Sequence, residues 1–150
     1  MEKIKRVAMC GLLVFAAFLW LLLSAGETNA QCSDATLSGC YDITWTGECS
    51  TCTNPGPRAG IGQLTFNGFG SLSGFTWAKS TNGTIYHNLP ATGTYTVNPN
   101  CTGSATISES GTGSEAKDLA FVVVIGVGLN IHGVQTDSGR VITFAARPCL

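Results

Sequence analysis

The chain has 150 residues, a formal net charge of −1, 44 % hydrophobic and only 11 % charged residues. Its few cations form no cluster along the chain, which argues against partners that need a basic patch: nucleic acid and anionic membrane surfaces. Seven cysteines against two histidines point to disulfide chemistry rather than to a His-rich metal centre.

The first segment reads as a targeting signal. Lys3, Lys5 and Arg6 precede an uncharged, largely apolar run from Val7 to Gly26, and Thr28-Asn29-Ala30 places a small residue before Gln31. A basic start, an apolar centre and a small-residue cleavage site mark a secretory signal peptide over residues 1–30. The alternative is an uncleaved N-terminal anchor, because a run of this length can span a hydrocarbon core of about 30 Å. Either way the rest is exported, so a secreted or periplasmic location is expected, with no stable membrane association once the signal is removed. The remaining 31–150 segment, of 120 residues, reads as one domain with five basic and seven acidic side chains. Six of the cysteines fall within it, an even number that predicts three disulfides, each worth about 2–4 kcal/mol.

From Gln31 onward turn residues punctuate the chain about every 8–12 residues and no useful helical period appears, the rhythm of an all-β sandwich or barrel. Tyr41, Ile43 and Trp45 alternate with Asp42, Thr44 and Thr46 in strand one. A loop from Glu48 to Pro57 carries two cysteines and two prolines. Strand two is Ile61–Phe66, with Leu64 and Phe66 on one face; Asn67-Gly68-Phe69-Gly70 is a tight turn; strand three is Leu72–Lys79, presenting Phe75 and Trp77 together. Ser80–Pro90 reads as a longer connection holding Asn82-Gly83, with room for a short hairpin through Thr84–His87. Strands four and five form the clearest hairpin, Gly93–Ser108, whose alternating arms flank Asn98-Pro99-Asn100-Cys101-Thr102-Gly103. A polar loop from Glu109 to Asp118 leads to the apolar strand Leu119–Ile125, and Leu129–Thr136 and Arg140–Arg147 complete the set.

Eight strands joined in order by short connections predict an antiparallel up-and-down β-barrel, with a β-sandwich as the alternative. Closure removes the apolar edges that strands one and eight would otherwise expose, and no long Greek-key crossover is visible. Alternate connections of such a barrel lie at opposite ends. Cys32, Cys40, Cys101 and Cys149 then gather at one end, leaving Cys49 and Cys52 together at the other. Cys40 and Cys149 flank the closing seam, so the predicted bridges are Cys40–Cys149, Cys32–Cys101 and Cys49–Cys52, one choice among fifteen connectivities.

Three stretches carry a resemblance: Cys32-Ser-Asp-Ala-Thr-Leu-Ser-Gly39 followed by Tyr41, then Gly93-Thr-Tyr-Thr-Val-Asn-Pro-Asn-Cys-Thr-Gly103, then Ile131-His-Gly-Val-Gln-Thr-Asp-Ser-Gly139. Together they resemble a family of small secreted bacterial and fungal proteins with no assigned activity. The resemblance implies a calycin-like or allene-oxide-cyclase-like barrel and adds weight to Cys32–Cys101. It implies no catalytic residue. The lipocalin Gly-x-Trp pattern is absent, because Ile43 stands two residues before Trp45.

Chemistry is sparsely signalled. Cys49-Ser50-Thr51-Cys52 has redox spacing but no βαβ context, so a structural disulfide is the better reading. His87 and His132 lack the further ligands that zinc requires, and no Gly-x-Ser-x-Gly elbow occurs; no metal, cofactor or catalytic residue is expected. The aromatic set Tyr41, Trp45, Phe66, Phe75, Trp77 and Tyr95 either fills the core or lines a ligand cavity, since eight strands enclose just enough space for either. Trp45, Trp77 and Tyr95, with His132 and Gln135 as polar groups, are the candidate contacts for a small apolar molecule. Three functions remain open: a non-enzymatic exported binder of such a molecule, a solid-cored structural or interaction protein of the cell exterior, and a cyclase- or isomerase-like enzyme using an inward His132 or Gln135.

Overall fold

The computed structural model describes residues 31–126 and 128–150; the predicted signal peptide and anchor alternative at 1–30 lie outside the described residues. The strands are β1 (Ser38–Cys49), β2 (Gly56–Asn67), β3 (Ser71–Thr81), β4 (Thr84–Val97), β5 (Thr102–Glu109), β6 (Ala116–Val124), β7 (Asn130–Gln135) and β8 (Arg140–Pro148). Each pairs antiparallel with the next, and β8 pairs with β1 to close the barrel. The fold is therefore the all-β, eight-stranded up-and-down barrel. No helix among the described residues is long and apolar enough to cross a membrane.

Several strands run further than the sequence expectation: β1 continues to Cys49, β2 begins at Gly56 rather than Ile61, and β5 and β6 take Glu109 and residues 116–118 from the expected loop between Glu109 and Asp118. Two further local features depart from it. The Ser80–Pro90 connection does not exist as a loop: Asn82-Gly83 alone turns the chain, and β4 runs unbroken from Thr84. Asn82 and Gly83 both take positive φ (47° and 87°), the conformation of the tight hairpin turn that matches strand twist. The second departure concerns the aromatics of β3. The Asn67–Gly70 turn fixes Phe66 opposite Leu72, which sends Leu72 into the core. Phe75 and Trp77, of opposite parity, consequently face outward and are about half exposed.

A bulge then changes the phase of β3 and β4. Ile61 pairs with Ala78 and Gly62 with Thr76, leaving Trp77 as an extra residue against β2, while Asn88, with φ of 54°, falls outside the β3–β4 register. Below the bulge Leu72 and Thr76 are buried; beyond it Lys79 and Thr81 are. One inserted residue thus brings a lysine inside.

One end of the barrel is sealed. A 3₁₀ turn at Asp34–Thr36 leads into Leu37, which is 0 % exposed, and the Cys32–Cys101 disulfide ties this segment to the β4–β5 turn. The Tyr95 hydroxyl lies 2.9 and 2.8 Å from the carbonyl oxygens of Asp34 and Leu37, and the Val97 amide donates to Asp34 Oδ1 at 2.6 Å. Above this floor Phe66 packs edge-on against both Tyr41 and Tyr95, at centroid distances of 5.2 and 4.9 Å. Burial pushes both phenols up from their ordinary range. Cys40–Cys149 staples the β1–β8 seam near the same end, and Cys49–Cys52 closes the loop at the other.

Candidate functional site

The other end of the barrel is built from different chemistry. Of the five basic residues after position 30, four (Arg58, Lys79, Lys117 and Arg140) converge there, and only Arg147 lies apart, exposed on β8. Strand alternation places them. Arg58 shares a face with buried Leu64 and Phe66; Lys117 shares one with Leu119 and Phe121; Glu109 continues the buried face of Ala105 and Ile107. Lys79 arrives through the bulge.

Glu109 is the centre of the inner layer. Its side chain is 1 % exposed and takes three donors: Lys79 Nζ at 2.5 Å, Lys117 Nζ at 2.6 Å and Thr76 Oγ1 at 2.7 Å. Burial alone would raise the Glu109 pKa, but the two ammonium groups and the hydroxyl outweigh it and hold the carboxyl below its ordinary value. Lys117 is pushed down, because loss of solvent costs its ammonium more than Glu109 restores. Its Nζ also lies 5.8 Å from the centroid of the Trp45 ring, in cation–π range. Gly60 makes room for that ring: a Cβ there would sit 2.2 Å from Trp45 Cζ2.

The outer layer opens to solvent. Glu115 pairs with Arg58 and lies 3.6 Å from Arg140 Nη1 and 3.9 Å from Lys79 Nζ. Arg58 also donates from Nη2 to the Asn54 carbonyl at 3.2 Å, and Gln135 donates to Asp137 at 2.7 Å. Burial would raise the Asp137 carboxyl, but the Gln135 bond, a backbone donor and the Arg140 charge together lower it. Above these groups is a pocket of about 450 Å³ walled by Thr51, Asn54, Arg58, Thr81, Tyr86, Glu115 and Arg140. The loops around it are cross-braced: Ser50 N–H and Thr51 Oγ1 donate to the carbonyls of Gly139 and Ser138, and Asn82 N–H donates to the Pro57 carbonyl. Gly113 packs flat on Tyr86, where a Cβ would come within 2.5 Å of the ring.

Beneath the charged layer an apolar cavity of about 40 Å³ is bordered by Ile43, Trp45, Leu64, Lys117, Gln135 and Phe144. That is room for a few waters, far below the ~300–1,000 Å³ of small-molecule pockets. The five contacts expected from the sequence do not form one site, although Trp45 and His132 both border an open groove of about 920 Å³ together with Ile61, Ile85 and Val134. Trp45 and Gln135 border the small apolar cavity; Tyr95 is committed to the sealed floor; Trp77 and His132 point outward. His132 falls outside because Ile131 and Gln135, of opposite parity, take the inward positions of β7. Among the described residues no three His, Cys, Asp or Glu side chains are arranged to hold a metal ion.

The chain was compared with protein-family models, with curated proteins and with solved structures, and nothing in any of the three matches it.

Proposed function

We propose that this protein is an exported, non-enzymatic binder that takes a small molecule at the mouth of its barrel. The observation that carries the reading is the pocket of about 450 Å³ at the one unsealed end, walled by buried Arg58, by partly exposed Glu115 and Arg140, and by braced loops. Three disulfides suit an oxidising, extracytoplasmic compartment. The sequence pointed to an apolar ligand held by Trp45, Trp77 and Tyr95; the small interior and the dispersal of these side chains favour a polar ligand at the rim instead. An enzymatic role has less support, since His132 faces outward and every polar group of the inner layer is already engaged by a neighbour.

Native mass spectrometry of the protein purified from its own host checks this. A bound small molecule, released on denaturation, is the expected result. A bare mass together with no stabilisation by a broad metabolite panel would overturn it. A second reading, a solid-cored interaction protein, is favoured by the filled lower core and by outward Ile61, Ile85 and Val134, each about half exposed. It predicts concentration-dependent self-association or a protein partner in place of a ligand.

A further inference from the structure

We infer that the ligand of the mouth is an anion, recognised through a carboxylate or phosphoryl group by Arg58 and Arg140. The inference rests on the reading of the mouth as a small-molecule site and adds the chemistry that the site selects.

Two observations carry it independently. The first is charge. Arg58, Lys79, Lys117 and Arg140 share the barrel end with Glu109, Glu115 and Asp137, so cations outnumber carboxylates four to three in this layer, the exposed Glu48 and Asp118 lying on the outer face of the same end. An uncompensated charge removed from water is costly, and a bound anion is the group that would offset it. The second is unmet hydrogen-bonding capacity. Arg58 is 5 % exposed, and its Nε finds no acceptor; Arg140 Nη1 is likewise buried without one, its nearest carboxylate being the 3.6 Å contact to Glu115. Buried donors without acceptors are uncommon in folded proteins and mark places where a partner belongs. Both arginines contribute to the wall of the same pocket, with these two nitrogens lying just beneath its surface. Planar guanidinium donors suit oxyanions with two or more oxygens, and such bonds are stronger than neutral ones. Glu115, partly exposed at the rim, occupies part of the position that the incoming anion would take. It acts as an internal competitor.

The test is an NMR titration of ¹⁵N-labelled protein, produced as the full chain and exported, following the arginine Nε–H signals. Inorganic phosphate and acetate are the anionic probes and glucose the neutral one. Saturable shifts at Arg58 and Arg140, with an apparent Kd near or below about 1 mM and no matching shift at Arg147, are expected. Saturation by phosphate alone assigns a phosphoryl ligand, and saturation by acetate alone a carboxylate. Arg140→Gln should weaken binding at least about tenfold, as loss of a charge-assisted hydrogen bond implies. Glu115→Gln should tighten it about threefold or more by removing the competing carboxylate. That second variant keeps the idea open to refutation if the first fails to fold. Unsaturable shifts at all three arginines, or weaker binding in Glu115→Gln, overturn the inference. If glucose saturates the amides of Thr51–Asn54 while neither anion does, the anion fails but the mouth survives as a binding site. If no probe shifts either arginine or the mouth amides, the anion inference fails, and the mouth reading is decided by the native mass and the metabolite panel.

Discussion

Glu109 lies between buried Lys79 and largely buried Lys117, so its charge state is tied to the fold. Removing one member of a buried charge network leaves the others uncompensated, a change that typically costs about 3–5 kcal/mol. Glu109→Gln strands Lys79 and Lys117 together, and denaturant unfolding at neutral pH should show a loss in that range. The pH dependence has a definite sign. The folded carboxyl titrates below its ordinary 4.5, so the unfolded state binds more protons in acid. Stability from Glu109 is complete above about 4.5 and drains away as pH falls through the folded value. Lys117, also lowered in the folded state, makes stability rise with pH in the window below its ordinary 10.5. Unfolding followed from pH 6 to pH 2 should show a steep acid slope in the natural protein and a shallower one in Glu109→Gln; equal slopes would mean that other carboxylates govern acid unfolding.

At the scale of the strand, the Asn82-Gly83 turn decides where β4 begins. Its two positive φ values are paid for by residue type: asparagine tolerates the left-handed region, and glycine has no Cβ to resist it. Gly83→Ala should cost about 1 kcal/mol, measurable as a lowered denaturation midpoint with an unchanged denaturant slope. The sequence contained this turn and left room for a short hairpin through Thr84–His87, but Asn88 and Pro90 hid the continuation of that strand into residues 93–97. Arg58, Glu109, Lys117 and Gln135 each share parity with buried apolar neighbours, but Glu109 and Lys117 read as loop residues and Arg58 precedes the expected strand two, so alternation was not extended to these three. Counting charges along the chain missed the charged mouth. Lys79 was not legible, because strict alternation from Leu72 directs it outward; only the extra residue at Trp77 turns it in. Phe75 and Trp77 misled for the related reason that the register is set by Leu72 opposite Phe66, not by the larger rings.

For the whole molecule, the three disulfides divide the work unequally. Chain-entropy reasoning makes a cross-link more valuable as the loop it closes lengthens. Cys40–Cys149 and Cys32–Cys101 span separations of 109 and 69 residues, against 3 for Cys49–Cys52. Serine pairs replacing either long-range bridge should cost about 4–5 kcal/mol, and replacing Cys49 and Cys52 about 2 kcal/mol, read from thermal or chemical unfolding of each double variant. An equal cost for all three would show that local geometry, not chain entropy, sets their value. Loss of Cys40–Cys149 carries a further hazard, since it frees the β1–β8 seam whose opening exposes two strand edges. Topology placed these cysteines in the sequence reading, since chain order alone fixes which connections share an end of a meandering barrel.

The sealed floor has a consequence for traffic. With Leu37, Tyr95 and the Asp34–Thr36 turn closing one end, the barrel is a cul-de-sac rather than a conduit. Whatever reaches the charged layer arrives and departs through the same doorway, past Thr51–Asn54 and Gly113–Glu115. For a ligand bound as proposed, changes to those rim residues would act on residence time as well as on capture, and the two could not be tuned through separate doors.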